Sequence, residues 1–345
     1  MLNQLTGNQR VKDLLTRMLE SRRVPGALLF SGEEGVGKKL FAFELAKAIN
    51  CRSPKGVEAC GECPACVRIS RINFPTSDDK EELRKIFWTD HPDVGMIQPP
   101  TRTFHVEQMR KIEREANYRP FEGVARFFII DEADKMNEPS ANALLKTLEE
   151  PPPTSRIILI TSRPAVLLPT IRSRCQAIRF APLRSEEIEE HLVRNKLGNG
   201  SEIRLRARSA AGSIGRAVTG DIETYQEQRD AMLKILNALV LTGDLTQLLR
   251  ASEGINEAAY KEEYETRLDV LQTLIRDAWM LSLGIRNELL VNEDILPHLT
   301  KVAAKIDSER VIRWISEIEE LRDQLTVNIN RKVATDALFL SMASA

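Results

Sequence analysis

The sequence predicts an α/β domain with a mostly parallel sheet, followed by a part made only of helices. Short apolar runs at 27–30, 127–130 and 157–160 alternate with helical patterns as far as Pro182. Continuous apolar runs of this length are typical of parallel strands buried on both faces. After Pro182 no such run recurs, and apolar residues repeat with a helical period. Alternating strands and helices predict a three-layer architecture for the first part.

The composition argues against several classes of protein, although a local patch could still contact DNA. Lys and Arg number 49 against 50 Asp and Glu, a net charge of −1, without the basic excess of a stand-alone nucleic-acid binder. No apolar stretch approaches the roughly 20 residues that a membrane helix needs, and the N-terminus lacks a signal-peptide pattern. We therefore expect a cytoplasmic protein of two or three domains. In that reducing compartment its five cysteines would be metal ligands or free thiols.

The segment after the first strand has the pattern of a phosphate-binding loop. Gly32, Gly35, Gly37 and Lys38 match G-x-x-x-x-G-K-S/T, but Lys39 stands where Ser or Thr is usual. Backbone N–H groups of such a loop surround phosphate oxygens, and the Lys38 ammonium reaches the outer phosphates. Lys39 removes the hydroxyl that holds magnesium. The pattern predicts a nucleotide site poorly equipped for hydrolysis; a glycine-rich turn that caps a helix is the alternative.

Four cysteines follow the helix after this loop. Cys51, Cys60, Cys63 and Cys66 have the spacing C-x8-C-x2-C-x2-C. Zinc prefers four soft ligands in a tetrahedron, and four protein ligands leave no position for water. The spacing predicts a structural zinc knuckle over residues 51–66, whose fold the metal would close. Unrelated free thiols and a redox C-x-x-C pair are the alternatives.

The next segments complete the predicted sheet. Residues 71–88 are mostly polar and predict a surface excursion, with a loop at 73–79. His91-Pro92-Asp93 introduces a strand at 94–98, and a helix follows at 106–118. A further helix at 137–150 ends at a run of prolines, and the last strand is expected at 177–180.

Polar residues follow two of the apolar strands. Asp131 and Glu132 come directly after 127–130, and Thr161 follows 157–160. Open α/β sheets bind ligands at the carboxyl ends of their strands. Together with the upstream loop, Asp131 is predicted to hold the magnesium shell and Glu132 to polarise an attacking water. Thr161 is predicted to contact the terminal phosphate or that water; ordinary polar strand ends are the alternative.

The C-terminal part predicts a helical bundle. Short helices are expected at 186–195 and 202–211, with a third starting near Gly212. Long amphipathic helices follow, and their apolar faces most simply form a bundle core. Residues expected on these faces include Met232, Ile235, Leu236, Leu239, Leu268, Leu271, Leu274, Ile275, Ala278, Val311, Ile315, Ile318, Leu321, Leu325, Val333, Ala337, Leu338 and Leu340.

Several of these segments together resemble the AAA+ clamp-loader subunits of bacterial DNA polymerase III. The most specific stretch is N-A-L-L-K-T-L-E-E-P-P at 142–152, supported by the cysteines, by His91-Pro92-Asp93 and by Ser173-Arg174-Cys175. The similarity covers nearly the whole chain, except 71–88, and is less clear in the C-terminal helices. It implies an AAA+ P-loop domain with a zinc knuckle at 1–182, a small helical lid at 183–221 and an all-α oligomerisation collar at 222–345.

Several features favour the delta-prime type of this family over the gamma/tau motor type. Lys39 replaces the loop hydroxyl, and Gly215 stands where the motor type has an arginine in the lid pattern G-S-x-R. Arg216 comes one position late, roughly 100° around a helix. Asn328-x-Asn330 and the end of the sequence shortly after it also resemble the delta-prime type. A gamma/tau-type ATPase remains the alternative, because Lys38 and the acidic pair are retained.

The resemblance implies a role in loading a sliding clamp onto primed DNA. It assigns Arg174 as the finger donated in trans to a neighbouring ATP site, with a surface salt bridge as the alternative role of this residue, and Asp131 and Glu132 become vestigial. The chain would be a structural wall of the DNA polymerase III holoenzyme, neither the polymerase nor an efficient ATPase. Its partners would be the gamma/tau motor and the clamp-opening delta subunit, with clamp and DNA reached through the complex and no membrane. Zinc is the implied structural cofactor, and binding of ATP with magnesium stays open.

Overall fold

A computed structural model describes residues 1–72, 84–256, 263–325 and 330–344. The predicted loop at 73–79 and Asn328 lie outside these residues. The chain divides into two compact units: Met1–Leu197 with Ala210–Val218, and Gly198–Ser209 with Thr219–Ala345. The division into three domains at 182 and 221 stays a prediction.

The first unit is built on a sheet that, in the described residues, has six strands in the order β2-β3-β4-β5-β1-β6. The strands are β1 Ala27–Ser31, β2 Phe87–Trp88, β3 Val94–Ile97, β4 Arg126–Ile130, β5 Ser155–Thr161 and β6 Gln176–Arg179. All neighbours are parallel except β2 and β3. This confirms the predicted α/β fold class. The loop after β1 therefore lies between the carboxyl ends of β5 and β6, where open α/β sheets bind ligands.

The end of the predicted surface excursion is a strand, so that part of the prediction is wrong. Phe87 and Trp88 pair antiparallel with Met96 and Gly95 at the sheet edge. Phe87 is buried, and the Trp88 ring meets the Phe128 ring at 5.9 Å between centroids. The segment is mostly polar, so the sequence did not indicate that its two aromatic residues pack on the sheet.

The first unit also contains helices. They are α1 Gln9–Glu20, α2 Lys38–Asn50, α3 Pro64–Ile69, α4 Val106–Ala116, α5 Glu138–Glu149, α6 Pro169–Arg172, α7 Ser185–Arg194 and, after the second unit's α8 Gly200–Ser209, α9 Ile214–Thr219. Local signals set their ends. The Asn137 side chain caps α5 by accepting from the Ser140 N–H at 3.0 Å, and a proline run follows the helix.

The second unit is helical, as predicted. After α8 it contains α10 Ile222–Asn237, α11 Leu245–Ile255, α12 Tyr264–Ser282, α13 Leu296–Ala303, α14 Ser308–Leu325 and α15 Arg331–Ala343. Trp314 is fully buried in its core, and its indole N–H donates to the Met342 carbonyl at 3.0 Å. None of the helices in the described residues combines the length and apolarity needed to cross a bilayer.

One predicted apolar face was partly wrong. Val333 and Leu340 of α15 are 62% and 40% exposed, although both were expected in the bundle core. The buried face of this helix carries Leu338, as predicted, together with Phe339 and Met342. The apolar residues of α15 lie on more than one face, so their spacing alone did not identify the buried one.

Candidate functional site

The predicted phosphate loop has the backbone shape that its glycines allow. Gly35 and Gly37 have φ angles of 75° and 100°, in the left-handed region that disfavours residues with a Cβ atom. A Cβ atom on Gly35 would also lie 2.1 Å from the Ser213 hydroxyl, and one on Gly32 would lie 2.5 Å from the Phe180 carbonyl oxygen. Both the conformation and the close packing therefore require glycine here.

The loop presents a row of unpaired backbone donors. Among the residues that the structure describes, no N–H group from 33 to 40 donates to a protein acceptor; the first such bond runs from Phe41 N to Gly37 O. Gly37 precedes α2 without a side-chain cap. These donors lie at the start of a helix, where the backbone dipole also favours negative charge.

Lys38 points into its own loop. Its ammonium donates to the carbonyl oxygens of Gly32, at 2.5 Å, and Glu33, at 2.6 Å. The residue is only 7% exposed, and this burial lowers the pKa of Lys38, against the opposing effect of nearby Asp131. In the described chain no carboxylate forms an ion pair with this buried cation.

Lys39 binds the acid that was predicted to hold magnesium. Its Nζ lies 2.8 Å from Asp131 Oδ2. The same oxygen accepts a hydrogen bond of 3.2 Å from Gln98 Nε2, on the segment after β3. Asp131 is buried while the Lys39 side chain is half exposed. The structure thus brings these two predicted residues together, as partners of each other.

Glu132 and Thr161 are placed close to the loop end of the sheet but engage other residues. Glu132 has a left-handed backbone, with φ at 51°, and pairs with Lys135 at 2.5 Å. The Thr161 hydroxyl donates to Asp134 Oδ1 at 2.7 Å. Asp134 also receives two bonds from Arg163, at 2.7 and 3.0 Å.

The Asp134–Arg163 pair was missed by the sequence reasoning. Asp134 is the last residue of the motif Asp131-Glu132-Ala133-Asp134, but nothing in the sequence indicates that it pairs with Arg163. The Thr161 hydroxyl donates its hydrogen to Asp134. Its oxygen, Oγ1, in turn accepts a hydrogen bond from Arg163 N at 2.9 Å. Its side chain is therefore fixed by protein contacts.

Arg174 lies on the link between α6 and β6. Its guanidinium donates to Glu149 Oε2 from Nη2 and Nε, at 3.3 and 3.4 Å, and to the Thr170 carbonyl at 3.1 Å. The side chain of Arg174 is 31% exposed and that of Glu149 is 60% exposed. An ion pair this exposed contributes little free energy, so the guanidinium is held only weakly.

The lid pattern packs directly on the phosphate loop. The Gly215 N–H donates to the Gly35 carbonyl at 2.9 Å. A Cβ atom on Gly215 would lie 3.0 Å from Gly35 Cα. This close contact explains why the residue at position 215 is glycine. A larger residue here forces the loop and the start of α9 apart.

The four predicted metal ligands converge. The sulfur atoms of Cys51, Cys60, Cys63 and Cys66 all lie within 4.8 Å of one another. Cys51 and Cys63 are 3.9 Å apart and Cys60 and Cys66 are 4.0 Å apart, close to the ~3.8 Å between sulfurs around a tetrahedral zinc. Backbone N–H groups of Glu62 and Cys63 point at the Cys60 sulfur, at 3.4 and 3.2 Å. The donor set fits a metal ion held by thiolates.

The His91-Pro92-Asp93 segment is structural. The Asp93 carboxylate is fully buried and accepts from the backbone N–H groups of Phe121, Glu122 and Gly123 at 2.8 to 3.0 Å. Asn50 completes the next turn by accepting from Val124 and Ala125. These bonds fix the segment that leads into β4, and thereby the position of Asp131 at its other end.

Family models match most of the chain. The model described as DNA polymerase III, delta subunit, matches residues 7–80 and 76–184. A second, described as DNA polymerase III, delta subunit, C terminal, matches residues 225–342. The chain belongs to the DNA polymerase III delta subunit family. The phosphate loop, the cysteine cluster and Arg174 all lie in the first match.

Individual proteins are also similar to this chain. The DNA polymerase III subunit delta-prime of Bacillus subtilis is 29% identical over 96% of this chain and 95% of its own length. That of Escherichia coli is 27% identical over 91% and 87%. Subunit tau of Escherichia coli is 31% identical over 81% of this chain but 44% of its own length. A solved gamma subunit-related protein of Thermotoga maritima is 20% identical, with a TM-score of 0.43, covering 96% of this chain and 98% of that one.

Proposed function

We propose that this protein is a delta-prime-type subunit of a clamp loader, which helps place a sliding clamp on primed DNA during replication. Family membership and the two delta-prime relatives, each matched over nearly its whole length, support this proposal. Its partners would be a gamma/tau-type motor and a clamp-opening delta subunit, assembled in the cytoplasm. Clamp and DNA would be reached through that complex.

The observation that carries the proposed mechanism is the Lys39–Asp131 ion pair. In an ATP-hydrolysing loop these two positions supply a hydroxyl and a carboxylate to magnesium. Here the two side chains neutralise each other, so the chain's own loop lacks the magnesium ligands that efficient hydrolysis needs. The function that remains for this subunit is to support the assembly and to act on a neighbour's nucleotide.

Arg174 is the residue proposed to act on that neighbour. An arginine donated in trans stabilises the charge that develops on a transferring phosphoryl group. The partly exposed guanidinium, held by an exposed carboxylate and one carbonyl, is accessible to an adjacent subunit. It would reach the neighbour's γ-phosphate when the assembly closes.

The cysteine cluster would hold one structural zinc ion. The four thiolates would fill all the positions around the ion, so the metal would stabilise residues 51–66 and would hold no catalytic water. Only three residues from this segment, Ala59, Cys60 and Cys66, form its buried apolar cluster, so it has almost no core of its own.

A gamma/tau-type ATPase is the second candidate. It is favoured by the 31% identity with subunit tau and by the retained Lys38, Asp131 and Glu132. ATP turnover by the purified chain, abolished by Lys38→Ala, would establish this alternative.

The test of the proposed function is reconstitution with motor and delta subunits. We expect Arg174→Ala to reduce turnover at the adjoining ATP site by about 10³-fold. Arg172→Ala, an exposed arginine two residues earlier on α6, is the matched control and should leave turnover unchanged. Full ATPase and clamp-loading activity with Arg174→Ala would overturn the assignment.

A further inference from the structure

The two positions that hold magnesium in an ATP-hydrolysing loop are bonded to each other in this protein. Lys39 occupies the hydroxyl position and Asp131 the acid position at the end of β4. The Lys39 ammonium lies 2.8 Å from Asp131 Oδ2, an oxygen that also accepts from Gln98. A cation is therefore already present beside the carboxylate to which the metal would bind.

These residues do not fit Mg²⁺. Magnesium requires oxygen ligands at close to octahedral geometry, and an ammonium group has donors only. Asp131 is buried and its charge is balanced by Lys39. A divalent ion at this position would meet the positive charges of Lys38 and Lys39, and the Asp131 carboxylate is already paired with Lys39.

The features that bind an anion are nevertheless intact. In the described residues the backbone N–H groups from 33 to 40, in the loop and at the start of α2, donate to no protein acceptor. The Lys38 ammonium is buried and contacts only carbonyl oxygens, without a paired carboxylate in the described chain. A buried cation without an ionic partner is costly, and a bound anion would satisfy both this cation and the free donors.

We propose that the loop binds the di- or triphosphate chain of a nucleotide as the metal-free anion, with the Lys39 ammonium in the place of Mg²⁺. The Lys39 side chain is 49% exposed, so it can contact a phosphate oxygen while it remains beside Asp131. In this arrangement Lys39 links the acid and the phosphate chain, as the metal does in other loops. Bound nucleotide would hold the loop in place without being hydrolysed.

The test is isothermal titration calorimetry, which measures the affinity of the full chain for ATP and ADP in EDTA and in excess Mg²⁺. We expect binding in EDTA and weaker binding in Mg²⁺, because the chelated metal brings a second cation against Lys39. Inorganic tripolyphosphate should compete, since the loop contacts phosphate oxygens. Lys38→Ala should weaken binding by about tenfold or more, through loss of a charge-assisted hydrogen bond.

Lys39→Thr is the decisive variant. It restores the hydroxyl and frees Asp131, so Mg²⁺ should now strengthen nucleotide binding. Lys47→Thr is the matched control, because Lys47 lies on the same helix and also pairs with a carboxylate, that of Glu44 at 2.7 Å; it should behave as wild type. The proposal fails if wild type binds no nucleotide, if it requires Mg²⁺, if tripolyphosphate does not compete, or if Lys39→Thr leaves the metal dependence unchanged.

Nucleotide binding by the chain's own loop does not depend on the role of Arg174. The titration uses the isolated protein, whereas the finger is tested by turnover in the assembled complex. A negative titration therefore does not contradict the role of Arg174, and unchanged turnover with Arg174→Ala does not contradict nucleotide binding by the loop.

Discussion

The Gly215 N–H donates to the Gly35 carbonyl at 2.9 Å, so the start of α9 rests on the phosphate loop. A Cβ atom on Gly215 would approach the Gly35 Cα to 3.0 Å and its carbonyl oxygen to 3.3 Å. Backbone atoms cannot yield as a flexible side chain does. The contact therefore links the identity of residue 215 to the position of the loop.

We expect Gly215→Ala to destabilise the protein by roughly 1–3 kcal/mol, the usual cost of overpacking. The matched control is Gly254→Ala in α11, where an added Cβ atom meets nothing within 4 Å. That change should stabilise by about 0.5–1 kcal/mol, because alanine restricts the unfolded chain. Urea unfolding curves measure both. Equal effects of the two substitutions would contradict a tight contact at Gly215.

Removal of one thiol should release the metal from the cysteine cluster. Purified wild type is expected to contain about one zinc per chain, and Cys63→Ser should contain almost none, because three thiolates hold structural zinc poorly. The measurement is metal analysis after gel filtration.

Cys175→Ser is the control for that experiment. Cys175 is a buried thiol of the sheet core, where burial raises its pKa to about 12, and it is not part of the cluster. The variant should keep its zinc. Unchanged metal content in Cys63→Ser, or a wild type without metal, would contradict the assignment.

Asp93→Asn should cost about 2–4 kcal/mol of unfolding free energy. The carboxylate accepts three backbone N–H groups, and its Oδ1 lies 3.7 Å from Nε of the buried Arg126. The amide cannot accept all three bonds and leaves the Arg126 charge with less compensation. Asp90→Asn, at an exposed pair whose atoms are 4.0 Å apart, should change stability by less than about 1 kcal/mol. Similar urea midpoints for the two variants would refute this role.

The sequence predicted the sheet well because apolar runs such as those of β1 and β4 are dictated by burial on both faces. The four cysteines were equally informative, since their spacing predicted the cluster of thiols that the structure contains. The partners of the site residues were not predictable. The Lys39–Asp131, Asp134–Arg163 and Gly35–Gly215 contacts join residues far apart in sequence, and each depends on how the folded elements approach. The edge strand β2 was missed because two aromatic residues give no periodic pattern.

Substitution of Glu149 measures how much its ion pair with Arg174 opposes the contact of Arg174 with a nucleotide on an adjacent subunit. The pair is exposed, with Nη2 and Oε2 3.3 Å apart, and such pairs contribute about 0–1 kcal/mol. To contact a phosphate on an adjacent subunit, Arg174 must leave this carboxylate. In the reconstituted complex Glu149→Gln should therefore raise ATP turnover by up to about fivefold, the equivalent of that free energy. The increase should shrink at high salt, because salt screens exposed pairs.

Glu150→Gln is the matched control for this prediction. Glu150 is the next residue of the same motif and is also exposed, but it forms no ion pair with Arg174 among the described contacts. Turnover with Glu150→Gln should equal that of wild type. If Glu149→Gln instead reduced turnover toward the level of Arg174→Ala, the carboxylate would be orienting the finger in the assembled state rather than retaining it in the free subunit. A result equal to the control would mean that the pair does not oppose delivery of Arg174.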